Sequence, residues 1–96
     1  MPQYFLKLNA KRPTFAQDMT DDERAIMKQH AAYLGDLMNK GIVAVFGPVF
    51  NPDGAFGMGV IEVENEEQVK EIIKNDPASG INNYEYYPMM AILPKK

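Results

Sequence analysis

From Gln3 to Asn9 the chain alternates: Tyr4, Leu6 and Leu8 fall on one side, Phe5 and Lys7 on the other. A period of two is that of a half-buried strand. Residues 10–19, AKRPTFAQDM, break the pattern around Pro13 and read as a loop. The period then lengthens. Ile26, Met27, Tyr33, Leu34, Leu37 and Met38 recur at helical spacing between Thr20 and Gly41. Thr20 is placed as an N-cap, and Glu23 three residues later completes a capping box. Asp21, Asp22 and Glu23 set negative charge at the positive end of the helix dipole, and Gly41 supplies the C-terminal stop.

Ile42–Phe50, IVAVFGPVF, is rich in β-branched and aromatic residues and reads as a second strand interrupted at Gly47–Pro48. Asn51-Pro52-Asp53-Gly54 is a turn, and Ala55–Glu64 returns as the third strand of a hairpin. Gly57 and Gly59 leave room there for a close approach. Asn65 opens a second helix with Gln68 as its capping partner, Val69, Ile72 and Ile73 as its buried stripe, and Pro77 as its end. A connector, ASGINN, leads to a last strand, Tyr84–Leu93.

The order β-α-β-β-α-β predicts an α+β, ferredoxin-like fold: a four-stranded antiparallel sheet with two helices on one face. Yet the last strand carries apolar residues on both sides, Tyr84, Tyr86, Met90 and Ile92 on one and Tyr87, Met89, Ala91 and Leu93 on the other. A sheet with one solvated face should alternate more cleanly. The expectation is a homodimer formed through the sheet faces.

A length of 96 residues makes a single domain, 1–96, whose small core a partner subunit would help. A net charge of −3, with the basic residues scattered, argues against nucleic acid as a partner. The absence of cysteine removes disulfides, thiolate metal sites and cysteine nucleophiles. No stretch reaches the ~20 apolar residues of a membrane helix, and MPQYFLKLNAKR lacks the layout of a signal peptide. A soluble, cytoplasmic protein without membrane contact is expected.

Chemistry concentrates on a few positions. His30, the 1 histidine of the chain, lies four residues from Ile26 and four from Leu34, and so points with the apolar stripe. It is either a core histidine bonded to a carbonyl or a general acid/base. Asp76 follows Ile72 and Ile73 at a spacing that turns it the same way. It is either a turn aspartate or a partner for His30, whose protonated ring would offset the negative end of the helix dipole. Because the two helices lie side by side in this fold, a His–Asp contact is geometrically open. Ser79 is a loop serine or a substrate contact, and Gly47–Pro48 is either a pocket wall or strand punctuation. One histidine and dispersed carboxylates argue against a dedicated metal site, and no phosphate loop or dinucleotide fingerprint is present.

The segments QYFLKL, HAAYLGDL, VFGPVFNPDG, GVIEVEN, NDPASGI and YEYYPM, in that order, resemble the YCII-related (YciI-like) family of small bacterial proteins over nearly the whole chain. The resemblance implies a ferredoxin-like dimer of the dimeric α/β-barrel type. It also implies an active site made of a histidine on the first helix and an aspartate before a proline after the second, which correspond to His30 and Asp76. Relatives act in dehydrochlorination of chlorinated aromatics, and muconolactone isomerases share a similar dimeric fold. The implied function is a cofactor-free lyase or isomerase acting on a small cyclic or unsaturated carbonyl compound, with His30 moving the proton, Asp76 orienting it, and Phe46, Pro48 and Ser79 lining the cleft. The alternatives are a non-catalytic small-molecule-binding or accessory module and, third, a cofactor-independent monooxygenase.

Overall fold

The computed structural model describes residues 1–94. Four strands, β1 (Gln3–Asn9), β2 (Val43–Val49), β3 (Phe56–Glu62) and β4 (Asn83–Met89), form one sheet in the order β2-β3-β1-β4. All three neighbouring pairs are antiparallel. β1 is central, pairing with β3 from Gln3↔Glu62 to Asn9↔Phe56 and with β4 from Gln3↔Met89 to Asn9↔Asn83. The helices are α1 (Phe15–Asp18), α2 (Asp21–Asn39) and α3 (Glu66–Asn75), followed by a 3-10 turn over Pro77–Gly80. This α+β arrangement is compatible with a ferredoxin-like fold.

The long helix begins and ends as its sequence demands. The Thr20 hydroxyl accepts from the Glu23 N–H at 3.1 Å, and the Glu23 carboxylate accepts from the Thr20 N–H at 2.9 Å. At the far end Gly41 takes φ = +81°, which lets its N–H reach the Met38 carbonyl and the Ile42 N–H reach that of Leu37. These two bonds satisfy carbonyls the helix would otherwise leave open. At α3 the Asn65 side chain accepts from the Gln68 N–H, but the Gln68 carbonyl turns to the N–H of Glu64 instead of closing the box on Asn65.

One hydrophobic core forms where both helices meet the same face of the sheet. Leu6, Val43 and Ile61 come from the strands, Leu34 from α2, Val69 and Ile72 from α3, and Val63 from the link between β3 and α3. Met38, placed by spacing on the buried stripe, is 38% exposed at its edge. The close approaches at the β3 glycines are made by the chain itself. A Cβ on Gly57 would stand 3.3 Å from Leu8 Cβ, and one on Gly59 would touch Phe46 at 3.7 Å.

Three expectations change. Residues 10–19 contain the short helix α1, which seats Phe15 in the protein at 5% exposure. Within ASGINN, Ala78–Gly80 belong to the 3-10 turn, opened by the Asp76 carboxylate accepting from the Ala78 N–H. The last strand stops at Met89, so Met90 and Ile92 stand outside the sheet and exposed. Gln3 is the first β1 residue available to pair with it, because Pro2 before it has no N–H to donate to the ladder.

Candidate active site

Asp76 occupies a junction. It is the C-cap of α3 and the N-cap of the 3-10 turn, held extended at φ = −73°, ψ = 125° as a residue before proline prefers. Its residue exposure is 3%, and three donors converge on its two carboxylate oxygens. The Ala78 N–H reaches Oδ1 at 2.9 Å, the Tyr84 hydroxyl donates to Oδ2, and His30 Nδ1 lies 2.7 Å from Oδ2 and 3.0 Å from Oδ1. The turn thus supplies a local amide, β4 supplies a phenol, and α2 supplies the ring, so three separate elements fix one carboxylate.

An ionised carboxylate only accepts, so His30 carries its proton on Nδ1 toward Asp76. That leaves Nε2 as the ring nitrogen without a protein partner among the described residues. Burial and the bond to Asp76 push the Tyr84 hydroxyl well above the ordinary tyrosine value, so it stays a neutral donor. Tyr33 is raised by burial, with the Asp76 charge second, and its hydroxyl donates to the Ile72 carbonyl at 2.8 Å.

His30 forms part of the wall of a cavity of about 240 Å³. The rest of the wall is apolar apart from one residue. Leu8 and Phe56 come from the sheet, Phe15 and Met19 from the α1 region, Met27 from α2, and Phe46 and Pro48 from β2. The exception is Asn82, just before β4. Ser79 is not among the lining residues, and its hydroxyl donates to the Ile73 carbonyl, closing the end of α3. The chain therefore places His30, Phe46 and Pro48 on one cavity with Asp76 behind the histidine, and leaves Ser79 out of that lining.

Spacing along the chain did not bring out Tyr84 or Asn82. Tyr84 had the composition of a core aromatic, and Asn82 that of a connector residue. Their only signal was position: both follow the Asp-Pro turn closely enough to fold back on it.

A second polar cluster lies at the start of α2, with Arg12 bonded to Asp18 at 2.8 Å and to Glu23 at 2.8 and 3.0 Å, and with Lys11 3.1 Å from Glu23. These cations are paired with the helix cap, and neither lines the His30 cavity. Among the described residues no group of three or more potential metal-ligating side chains converges, and no helix is long and apolar enough to cross a membrane.

Fold and site together define a small α+β domain in which a buried carboxylate holds a histidine at the wall of an apolar cavity. The chain belongs to the YCII-related domain family, whose pattern it matches over residues 4–92. No curated protein matches it significantly. Among solved structures it is similar to the 5-chloro-2-hydroxyhydroquinone dehydrochlorinase of Burkholderia phenoliruptrix in complex with 2,5-dihydroxybenzoquinone. The TM-score is 0.60 at 20% sequence identity, over 91% of this chain and 93% of the other. At that identity the likeness establishes a shared fold.

Proposed function

We propose that this protein is a lyase or isomerase that needs only proton transfer, acting on a small cyclic or unsaturated carbonyl compound. The observation that carries this is the orientation of His30: Nδ1 is engaged by Asp76, and the ring lines an apolar cavity with Nε2 free. In this scheme Nε2 removes a proton from a carbon next to the carbonyl. The electron pair of that C–H bond passes into the conjugated system. In an elimination, a leaving group such as chloride on the neighbouring carbon departs with its bonding electrons. In an isomerisation, the imidazolium returns the proton to a different carbon. Asp76 keeps the base in the correct tautomer and stabilises the imidazolium, as a buried carboxylate does for a catalytic histidine. Phe46 and Pro48 hold the ring of the substrate, and Ser79 contributes through the turn that places Asp76. The dehydrochlorinase activity of the structural neighbour supports the elimination branch.

Chloride release and absorbance changes with a panel of cyclic ketones and enones that carry chloride on the carbon next to an acidic α-C–H test the elimination, and unsaturated lactones test the isomerisation. Turnover by the wild-type protein should fall by about 10²–10⁴-fold in His30→Ala. Full turnover in that variant, or no turnover across the panel, overturns the proposal. A binding module built on the same cavity would instead lose ligand affinity with no reaction to lose.

The proposed assembly is a homodimer in the cytoplasm, joined through the sheet face opposite the helices. Val45, Tyr87 and Met89 on that face are 45%, 49% and 37% exposed, an apolar surface that a second copy would cover. Sedimentation of a monomer at micromolar concentration would refute this.

A further inference from the structure

Residues 10–19 form one side of the His30 cavity, and Ala10, Phe15, Ala16 and Met19 belong to its lining. Among the described residues, the backbone–backbone hydrogen bonds of this segment are all internal. The Phe15 N–H donates to the Arg12 carbonyl at 3.1 Å, and those of Gln17 and Asp18 donate to the Thr14 carbonyl at 2.9 and 3.0 Å. Its ties to the rest of the protein are made by side chains. Phe15 is buried at 5% exposure, and the Arg12 guanidinium lies over its ring at 5.3 Å. The same guanidinium donates to Glu23 of α2 at 2.8 and 3.0 Å, and the Lys11 ammonium is 3.1 Å from that carboxylate. One arginine therefore joins the apolar seat to the ionic tie.

We propose that residues 10–19 are a lid on the His30 cavity, which swings as a unit about Ala10 and Met19–Thr20 to admit and release a ligand, and which Arg12 latches to Glu23. This rests on the proposed reading of the cavity as the site, and it adds how a ligand reaches it. Three further observations support the motion. The first is space. Behind the segment, Lys11, Arg12 and Pro13 face a second hollow of about 290 Å³, whose far wall includes Asn51, Asp53 and Phe56. Close-packed interiors leave few voids larger than a water molecule, so a segment with a hollow on either side can shift without displacing core side chains. The second is the pivots. Met19 (φ = −52°, ψ = 135°) and Thr20 (φ = −68°, ψ = 167°) are extended and separate α1 from α2, and Ala10 follows the last paired residue of β1. Neither long helix nor strand has to unwind for the segment to turn. The third is the mouth. The exposed residues of the lining are Ala16 of α1, Ala31 of α2 and Pro48 of β2. Two of these sit on long, well-bonded elements, so α1 is the side of the opening that yields. Opening breaks the Arg12 bonds to Glu23 and unseats Phe15, while the Arg12–Asp18 pair travels with the lid. Segments of this kind, with few bonds to their neighbours, open at lower cost than the whole fold.

Hydrogen exchange followed by NMR reads the opening without a substrate. The amides of Phe15, Gln17 and Asp18 should exchange by a local opening that low urea does not accelerate, at least about tenfold less protected than those of Leu6 and Ile61 in the central strands. Arg12→Gln should speed the three lid amides by about tenfold or more, the loss of a charge-assisted bond, and leave Leu6 and Ile61 unchanged. Arg24→Gln removes an exposed pair with Asp21 on the neighbouring turn and should alter neither set. Because the chain has no cysteine, Met27→Cys places a single thiol in the cavity lining. Its reaction with dithiodipyridine should quicken when Arg12→Gln is added. Lid amides that exchange only with global unfolding, equal acceleration of Leu6 and Ile61 in Arg12→Gln, an unchanged thiol rate, or failure of Arg12→Gln to fold would each overturn the proposal. A separate opening of the lid with no turnover of any test compound would refute the proposed reaction alone. Turnover that depends on His30, with no separate opening, would refute the lid alone.

Discussion

Replacing Asp76 by Asn separates what the carboxylate does for the fold from what it does for the histidine. The side chain is fully buried, and its oxygens take the Ala78 N–H, the Tyr84 hydroxyl and His30 Nδ1. An amide offers one oxygen and one NH₂ group. If the oxygen stays on Ala78, the NH₂ faces Tyr84 and His30. The phenol can rotate to accept, and the imidazole can accept only by moving its own proton from Nδ1 to Nε2. The fold then survives with weaker bonds. Loss of a charge-assisted bond and imperfect pairing of a buried donor should cost about 1–3 kcal/mol. For a domain of this size that lowers the melting temperature by roughly 4–8 °C for each kcal/mol. The chemical consequence is larger. A proton on Nε2 removes the base, and the corresponding change in a catalytic triad costs about 10⁴ in rate. The tautomer can be read without a substrate, from the nitrogen shifts of the ring in a long-range ¹H–¹⁵N correlation. The chain has 1 histidine, so the signals need no assignment. At a pH where the ring is neutral, the expected result is its proton on Nδ1 in the wild type and on Nε2 in Asp76→Asn, together with a lower urea midpoint. An unchanged tautomer and an unchanged midpoint would refute the assignment of Asp76 as the group that sets His30.

Tyr84→Phe removes one donor from Asp76 Oδ2 while keeping the ring that packs on the core; it should destabilise by about 1 kcal/mol in urea denaturation and leave the His30 proton on Nδ1. A shift of that proton to Nε2 would show that Tyr84, not His30, is the main partner of the carboxylate. Glu23→Gln keeps the capping geometry but removes the charge that Arg12 and the Thr20 N–H hold well below the usual carboxylate range. A carboxyl lowered on folding stabilises above its unfolded value and loses that contribution as pH falls. The gap in melting temperature between wild type and Glu23→Gln should therefore be full at pH 7 and shrink as pH falls below about 4.5. A gap that stays constant down to pH 3 would refute the role of the charge.

Much of the fold is legible locally because its punctuation acts over three or four residues. Thr20 with Glu23, Gly41 and Asn65 each mark a helix end through bonds to the adjacent turn, and the alternation in β1 predicts that Leu6 and Leu8 are buried, as they are. The short helix α1 escaped because four residues carry less than one and a quarter turns of periodicity, and its place depends on the seat Phe15 finds in the cavity wall. The end of β4 escaped because a strand extends only as far as its neighbour can pair, and the neighbour is β1.

The candidate site divides along the same line. The sequence by itself determined which residues have the right chemistry: a histidine on the apolar face of a helix, and an aspartate at a helix end before a proline. Their contact, across 46 positions of chain, is a product of tertiary packing, in which α2 lies against the turn that follows α3. Packing also decided which neighbours share that space. It brought the Tyr84 hydroxyl to Asp76, set the Ser79 hydroxyl on the Ile73 carbonyl at the end of α3, and buried the side-chain oxygen of Asn82 without a partner among the described residues. Local pattern specifies each residue's face and phase along its own element. Which faces meet, and which polar atoms find partners, is settled only when the sheet order brings distant elements together.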